Sequence, residues 1–180
     1  AVGAMRHGAV DYLTKPIDRA RLRTALMNVA RTRALKEEVG SLRSELRELG
    51  FDALHGYMRG FIDLVFRHQG RFYIVDYKSN WLGPEAAHYG PEQLARAMAD
   101  HHYYLQYHLY VVALHRYLGQ RVRDYDYDSH FGGVYYLFLR GMAPEHALRT
   151  GVFFDRPSLA LVEALDETLR ATSSEREVNP

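Results

Sequence analysis

The chain contains no cysteine, only three lysines and no long apolar run, and each shortage removes a class of function. Without cysteine there is no disulfide framework, no thiol nucleophile and no zinc site built on thiolates. That composition is compatible with a cytoplasmic location. No apolar stretch approaches the roughly 18 residues that a membrane span needs, and no segment reads as a signal peptide. Charge of one sign is not in excess either. Lys plus Arg is 23 against 22 Asp plus Glu, a net charge of +1, which excludes a histone-like polycation and an acidic solvating tail. What is present is a globular composition: 180 residues, 47% hydrophobic and 13% aromatic, about one domain in size.

Twenty of the 23 basic residues are arginine, leaving Lys15, Lys36 and Lys78. Lys36 reads as a chance survivor of an arginine-favouring codon bias. Lys15 and Lys78 each fall inside a motif.

Two unlike pieces follow one another. Residues 1–49 are rich in Ala, Arg and Leu. Ala1–His7 reads as a helix end stopped by Gly8, and Asp11–Thr14 as a short extended run into Lys15-Pro16. Asp18 can cap a long helix with Leu22, Leu26 and Val29 on one side. Leu35, Val39, Leu42, Leu46 and Leu49 then repeat at heptad spacing, as in a weak dimerisation helix or a helix packed on its own domain. The second piece, 51–157, holds 13 of the 14 tyrosines and the single Trp. Phe61–Phe66 and Phe72–Lys78 are predicted strands joined by a turn through Arg67-His68-Gln69-Gly70. Ser79–Gly90 reads as a loop, Pro91 as the first turn of a long helix reaching Leu118, Gly133–Leu139 and Gly151–Asp155 as strands, and Ser158–Arg170 as a closing helix. The tail Thr172–Pro180 reads as frayed. This order predicts an α/β (α+β) domain with a mixed central sheet flanked by helices.

Side chains alternate along a strand, so Asp76 and Lys78 share the face of Phe72 and Ile74. A hairpin with a two- or four-residue loop pairs odd positions of its first strand with even positions of its second. Asp63 therefore joins that face. Two carboxylates and an ammonium converge among apolar neighbours, an arrangement that is costly unless the charges are paired. One reading is a buried Asp–Lys ion pair with the second Asp bonded to backbone. The other is a site in which a hard cation relieves carboxylate repulsion and Lys78 offsets charge on a phosphorane-like transition state. That second reading implies phosphodiester hydrolysis by direct attack of water. Gln106 and Tyr110, four apart, share one helix face and read either as core or as phosphate- and water-binding groups.

GFIDLVF (Gly60–Phe66), YIVDYKSNWLG (Tyr73–Gly83), LQYHLYVVALHRYL (Leu105–Leu118) and DYDYDSHFGGVYYLFLRGM (Asp124–Met142) closely resemble the C-terminal nuclease domain of RecB-type subunits of RecBCD enzymes, from about Asp52 to Ala171. Those nucleases belong to the PD-(D/E)xK superfamily, and the resemblance implies a restriction-endonuclease-like core. It implies Asp63 and Asp76 as metal-ligating acids, Lys78 as the catalytic lysine, and the carbonyl of Tyr77 as a backbone metal ligand. Gln106 and Tyr110 match the family's Gln-x-x-x-Tyr motif. The cofactor implied is Mg²⁺. The activity implied is an exonuclease of double-strand-break repair and recombination, with DNA as substrate and RecC-like and RecD-like subunits as partners. The family takes a further metal-ligating His from an upstream helix, and residues 1–49 do not resemble that stretch. His55 is too near Asp63 to replace it, and His7 lies in unrelated sequence. An impaired DNA-binding or partner-docking module is therefore the alternative function.

AVGAMRHGAVDYLTKPID (Ala1–Asp18) resembles instead the last helix–strand–helix passage of NtrC-like response-regulator receivers, with Lys15 matching the lysine that contacts the acyl phosphate. The phosphoacceptor Asp and its acidic neighbours are not in this segment, so no phosphorelay is expected. The predicted organisation is a truncated receiver-like segment and linker helix at 1–49, a nuclease domain at 50–173 and a tail at 174–180. The two resemblances read as a fusion of two fragments, and Ala1 in place of an initiating Met suggests a truncated or spliced reading frame.

Three further features have plain readings. His101-His102 is predicted as a solvated or DNA-facing pair on the long helix. The run Asp124–Asp128 lacks the glycine turn of a calcium loop and reads as a polar connection. Trp81 reads either as a base-stacking residue or as a core or loop anchor.

Overall fold

The computed structural model describes residues 19–48, 60–142 and 150–174. Two compact units divide the chain at 44/45. The predicted features at Ala1–Asp18, His55 and Leu49 lie outside the described residues, as do 175–180 of the predicted tail.

In the first unit the described chain is helix α1 (Arg19–Glu48), which continues across the division. Helix-favouring Ala, Arg, Leu and Glu with no internal Pro account for its length. Leu26 and Val29, two of its predicted apolar positions, are exposed.

The second unit is built on four strands in spatial order β1-β2-β3-β4: β1 (Leu64–His68), β2 (Arg71–Lys78), β3 (Phe131–Phe138) and β4 (Val152–Asp155). The outer pairs are antiparallel and β2–β3 is parallel. The fold is thus the mixed sheet flanked by helices that the sequence predicts. The hairpin turns through two residues, Gln69 (φ +47°) and Gly70 (φ +83°). Paired positive φ values of this kind match the right-handed twist of the flanking strands. They set Val65 opposite Ile74 and Phe66 opposite Tyr73, the odd–even pairing expected. Strand β1 begins three residues later than predicted, and Phe61 is exposed.

One face of the sheet is closed. Ile74, Asp76, Val134, Tyr136 and Phe138 are all buried on it. Over it run α2 (Pro91–Asp100) and α3 (Tyr103–Arg121), and α5 (Leu159–Ser174) packs beside α3. The aromatic side chains of α3 meet the sheet directly, Tyr107 against Tyr136 and Tyr104 against Phe153. Ser158 caps α5, its hydroxyl accepting from the Leu161 N–H. That helix runs on to Ser174, past the predicted end at Arg170 and into the stretch read as a frayed tail.

The long helix predicted from Pro91 to Leu118 is instead two helices. His101 and His102 separate them, and His102 adopts the left-handed conformation at φ +55°. Neither Gly nor Pro marks the break, so packing of the α3 aromatics overrides local propensity. Residues Asp124–Asp128 are a connection in part: Asp126 caps a single turn, α4 (Tyr127–His130), by accepting from the Ser129 N–H.

A bulge at Gly132 sets the register on which the site depends. Phe72 pairs with Phe131, but Tyr73 pairs with Gly133. The extra residue shifts all later pairs by one, so that Tyr136 rather than Tyr135 stands beside Asp76. Gly133 is held at φ +136°, and a Cβ there would meet the Asp155 carbonyl oxygen at 2.8 Å. Gly133→Ala is expected to cost roughly 1–3 kcal/mol from backbone strain alone, read as a lower urea midpoint.

Candidate active site

The site forms where β2 ends, below the N-terminal half of α3. Alternation along β2 turns Asp76 and Lys78 inward beneath the helix. The Asp76 residue is 4% exposed. Lys78 Nζ lies 2.6 Å from Asp76 Oδ1 and donates to Gln106 Oε1 at 3.0 Å. The ammonium also sits over two rings, 3.8 Å from the centroid of Tyr103 and 4.9 Å from that of Tyr136. These faces hold a cation electrostatically while excluding water.

Gln106 links the parts. Its carbonyl oxygen accepts from Lys78 and from the Tyr136 hydroxyl at 2.9 Å, and its amide donates to the Tyr110 hydroxyl at 3.0 Å. With both acceptor bonds on one atom, the amide orientation is fixed. Positions 103, 106 and 110 recur at helical spacing, so a single face of α3 delivers all three groups. Gln106 and Tyr110, read from sequence as either core or site, are half-buried and belong to the site's hydrogen-bond network.

Asp63 departs from expectation in one respect. It was predicted to be buried with the other two charges, but it precedes the first paired residue of β1 and is exposed. Its Oδ2 accepts from the Tyr77 N–H at 2.9 Å, which keeps the carboxylate at the site. Two charges are thus desolvated rather than three. Burial raises the pKa of Asp76, the Lys78 hydrogen bond and charge oppose that rise, and Asp63 adds to it. Burial also raises Tyr110, with Asp76 the next cause, and holds Tyr136 protonated far above neutral pH. Both phenols are therefore hydrogen-bonding groups at neutral pH and not bases.

All five side chains named from sequence converge here: Asp63, Asp76, Lys78, Gln106 and Tyr110. Tyr103 and Tyr136 were not foreseen as neighbours of the ammonium. Tyr103 lies one helical turn before Gln106 and was legible from that spacing. Tyr136 was not, because its place depends on the bulge at Gly132.

This geometry includes every contact of the plain ion-pair reading, an Asp–Lys pair with the second Asp on backbone. Among the described residues, no group of three or more His, Cys, Asp or Glu is placed to hold a metal ion. Two carboxylates remain, hard oxygen donors of the kind that Mg²⁺ takes together with water.

RecBCD enzyme subunit RecB of Escherichia coli (strain K12) is 54% identical over 119 residues, 66% of this chain and 10% of that protein. The subunit of the same name in Haemophilus influenzae is 54% identical over 118 residues, 66% of this chain and 10% of that protein. In Mycobacterium tuberculosis the figure is 50% over 127 residues, 67% of this chain and 12% of that protein. The chain spans about a tenth of the length of these relatives. A family-wide match covers residues 4–178. An acid–lysine pair at a strand end, a second acid opposite and this match agree: the chain belongs to the PD-(D/E)XK nuclease superfamily.

Proposed function

We propose that this chain is a RecB-type DNA nuclease module that hydrolyses phosphodiester bonds by direct attack of water, as an exonuclease in double-strand-break repair and recombination. The observation that carries the reading is the fixed ammonium of Lys78. An ammonium has three donors, and Asp76 and Gln106 take two. The third serves a phosphate oxygen or the attacking water, and the charge offsets the negative charge that builds as the bond breaks. Gln106 and Tyr110 position the lysine and bond to phosphate from the helix side. Asp63, Asp76 and the carbonyl of Tyr77 would hold a Mg²⁺ ion. When bound, such an ion supplies polarisation of the phosphate and a more acidic water.

The name of the relatives describes a subunit of a RecBCD enzyme, which supports RecC-like and RecD-like partners; the nuclease reading itself puts the module beside DNA, in the cytoplasm. No helix among the described residues is long and apolar enough to cross a membrane.

The close Lys78–Asp76 pair and the Asp63–Tyr77 bond favour a second reading, a module that holds DNA without cutting it. Cleavage of linear single-stranded DNA by the purified chain decides between them. Cutting in Mg²⁺ that disappears in EDTA is the expected result. A folded chain that binds the strand and leaves it whole in Mg²⁺ would establish the second reading.

A further inference from the structure

Trp81 stands three residues beyond Lys78, in the segment that leaves the carboxyl end of β2. That segment is pinned on both sides of it. The Asn80 side chain accepts from the Tyr103 hydroxyl at 3.2 Å, and the Asn80 carbonyl from the Tyr89 hydroxyl at 3.4 Å. The Leu82 N–H donates to the Tyr89 oxygen at 3.2 Å. Gly83, at φ +149°, lies so close to the His88 ring that a Cβ would fall 2.3 Å from it.

Despite this anchoring, Trp81 is 64% exposed. An indole buried to fix the loop would be mostly covered, so the sequence reading of Trp81 as a core anchor does not hold. The guanidinium of Arg140 lies 5.9 Å from the ring centroid, and Arg140 is itself held by its Nε donating to the Ser79 carbonyl at 2.9 Å. A presented aromatic ring beside a fixed cation has the two chemistries that bind single strands: a face on which any base stacks, and a charge for the neighbouring phosphate. Three residues of chain reach at most about 10 Å, so the ring stands within a few nucleotides of Lys78. The Asn80–Tyr103 bond ties it further to that lysine, since Tyr103 is the ring under the ammonium.

We propose that Trp81 and Arg140 form a stacking subsite for an unpaired base of single-stranded DNA and hold the strand beside Lys78. The proposal rests on the nuclease reading and adds the residues that hold a base of the strand. Bases in a duplex are already stacked and cannot offer a free face.

Trp81 is the single tryptophan of the chain, so its fluorescence reports the subsite directly. The full chain is titrated with a 20-nucleotide oligothymidylate in EDTA, and Lys78→Ala with the same strand in Mg²⁺. Anisotropy of a labelled strand measures binding in parallel. Oligothymidylate is expected to quench Trp81, while an abasic strand of equal length binds more weakly without quenching. Trp81→Ala is expected to weaken oligothymidylate binding about 10- to 100-fold, and Trp81→Phe to retain most of it. Binding seen by anisotropy with unchanged fluorescence, or an unchanged Kd in Trp81→Ala, overturns the subsite and leaves the nuclease reading intact. Equal affinity and quenching with a blunt duplex of that length overturns the preference for unpaired bases. No binding of any strand under either condition overturns the nuclease reading and the subsite with it.

Discussion

Lys78→Ala is expected to lower strand cleavage about 10²–10³-fold, the loss typical when a preorganised transition-state charge is removed. It is also expected to weaken the fold. The Lys78 side chain is 11% exposed and its partner Asp76 is 5% exposed, so deleting the ammonium strands a buried carboxylate. Breaking a buried pair from one side costs about 3–5 kcal/mol. The pH dependence has a definite sign. Burial already lifts Asp76 above the ordinary carboxylate range, Lys78 restrains that rise and Asp63 increases it. Without Lys78 the folded-state pKa climbs further. As pH increases, the unfolded chain then gives up this proton first and stability falls. In EDTA, thermal midpoints of Lys78→Ala should therefore recover as the pH is lowered from neutrality towards the ordinary carboxylate range, and recover more than those of the unaltered chain. Lys78→Arg should not restore cutting. Ring centroids 3.8 and 4.9 Å from the ammonium leave a slot for a compact point charge, and a planar guanidinium is wider. Single-turnover cleavage of single-stranded DNA, with circular dichroism to establish folding, checks both variants. Cleavage within a few-fold of the unaltered chain in a folded Lys78→Ala would remove Lys78 from the mechanism.

How much of this was legible in the sequence depended on how local the determining contacts are. The hairpin register was readable because two residues, Gln69 and Gly70, close it, and alternation then fixes which side chains meet. Asp63 was thereby assigned to the side of Asp76, and its bond to the Tyr77 N–H keeps it at the site. Its exposure was not readable, since that depends on where the β1–β2 pairing starts. The parallel β2–β3 register was beyond reach. It turns on the Tyr73 ring occupying the space where Gly132 lacks a side chain, with a Cβ there only 2.2 Å from the ring. The interruption at His101-His102 left no local mark either. A charged and aromatic stretch without Gly or Pro reads as continuous helix, and the break follows from seating Tyr103, Tyr104 and Tyr107 on the sheet. Gln106 was ambiguous for a different reason. A single amide on a helix face is uninformative until its three partners come from three different elements.

Asp76→Asn should abolish cleavage to a similar degree while leaving the fold as stable as before, or more so, at neutral pH. Asn reproduces the shape of a protonated Asp. The raised pKa of Asp76 means that, counting the attraction of Lys78, the folded chain prefers the neutral form more than the unfolded chain does. The dominant cause is burial, which penalises the carboxylate. Below the ordinary carboxylate range both states hold the proton and no penalty exists. It grows as pH rises from that range to the raised folded value, then persists. Asp76→Asn removes it, and Lys78 keeps its bond to Gln106 Oε1 and its place over Tyr103. In EDTA the variant should therefore match or exceed the unaltered chain in urea midpoint near pH 7, with the difference shrinking towards acid pH. The two halves of one ion pair thus respond with opposite signs: loss of the cation destabilises, neutralisation of the anion does not. An ion pair retained to support the fold would lose several kcal/mol from either side. Asp76→Asn unfolding as readily as Lys78→Ala would assign the carboxylate to structure. A folded, stable and inactive Asp76→Asn would mean that its charge is kept, against its own cost to the fold, for chemistry.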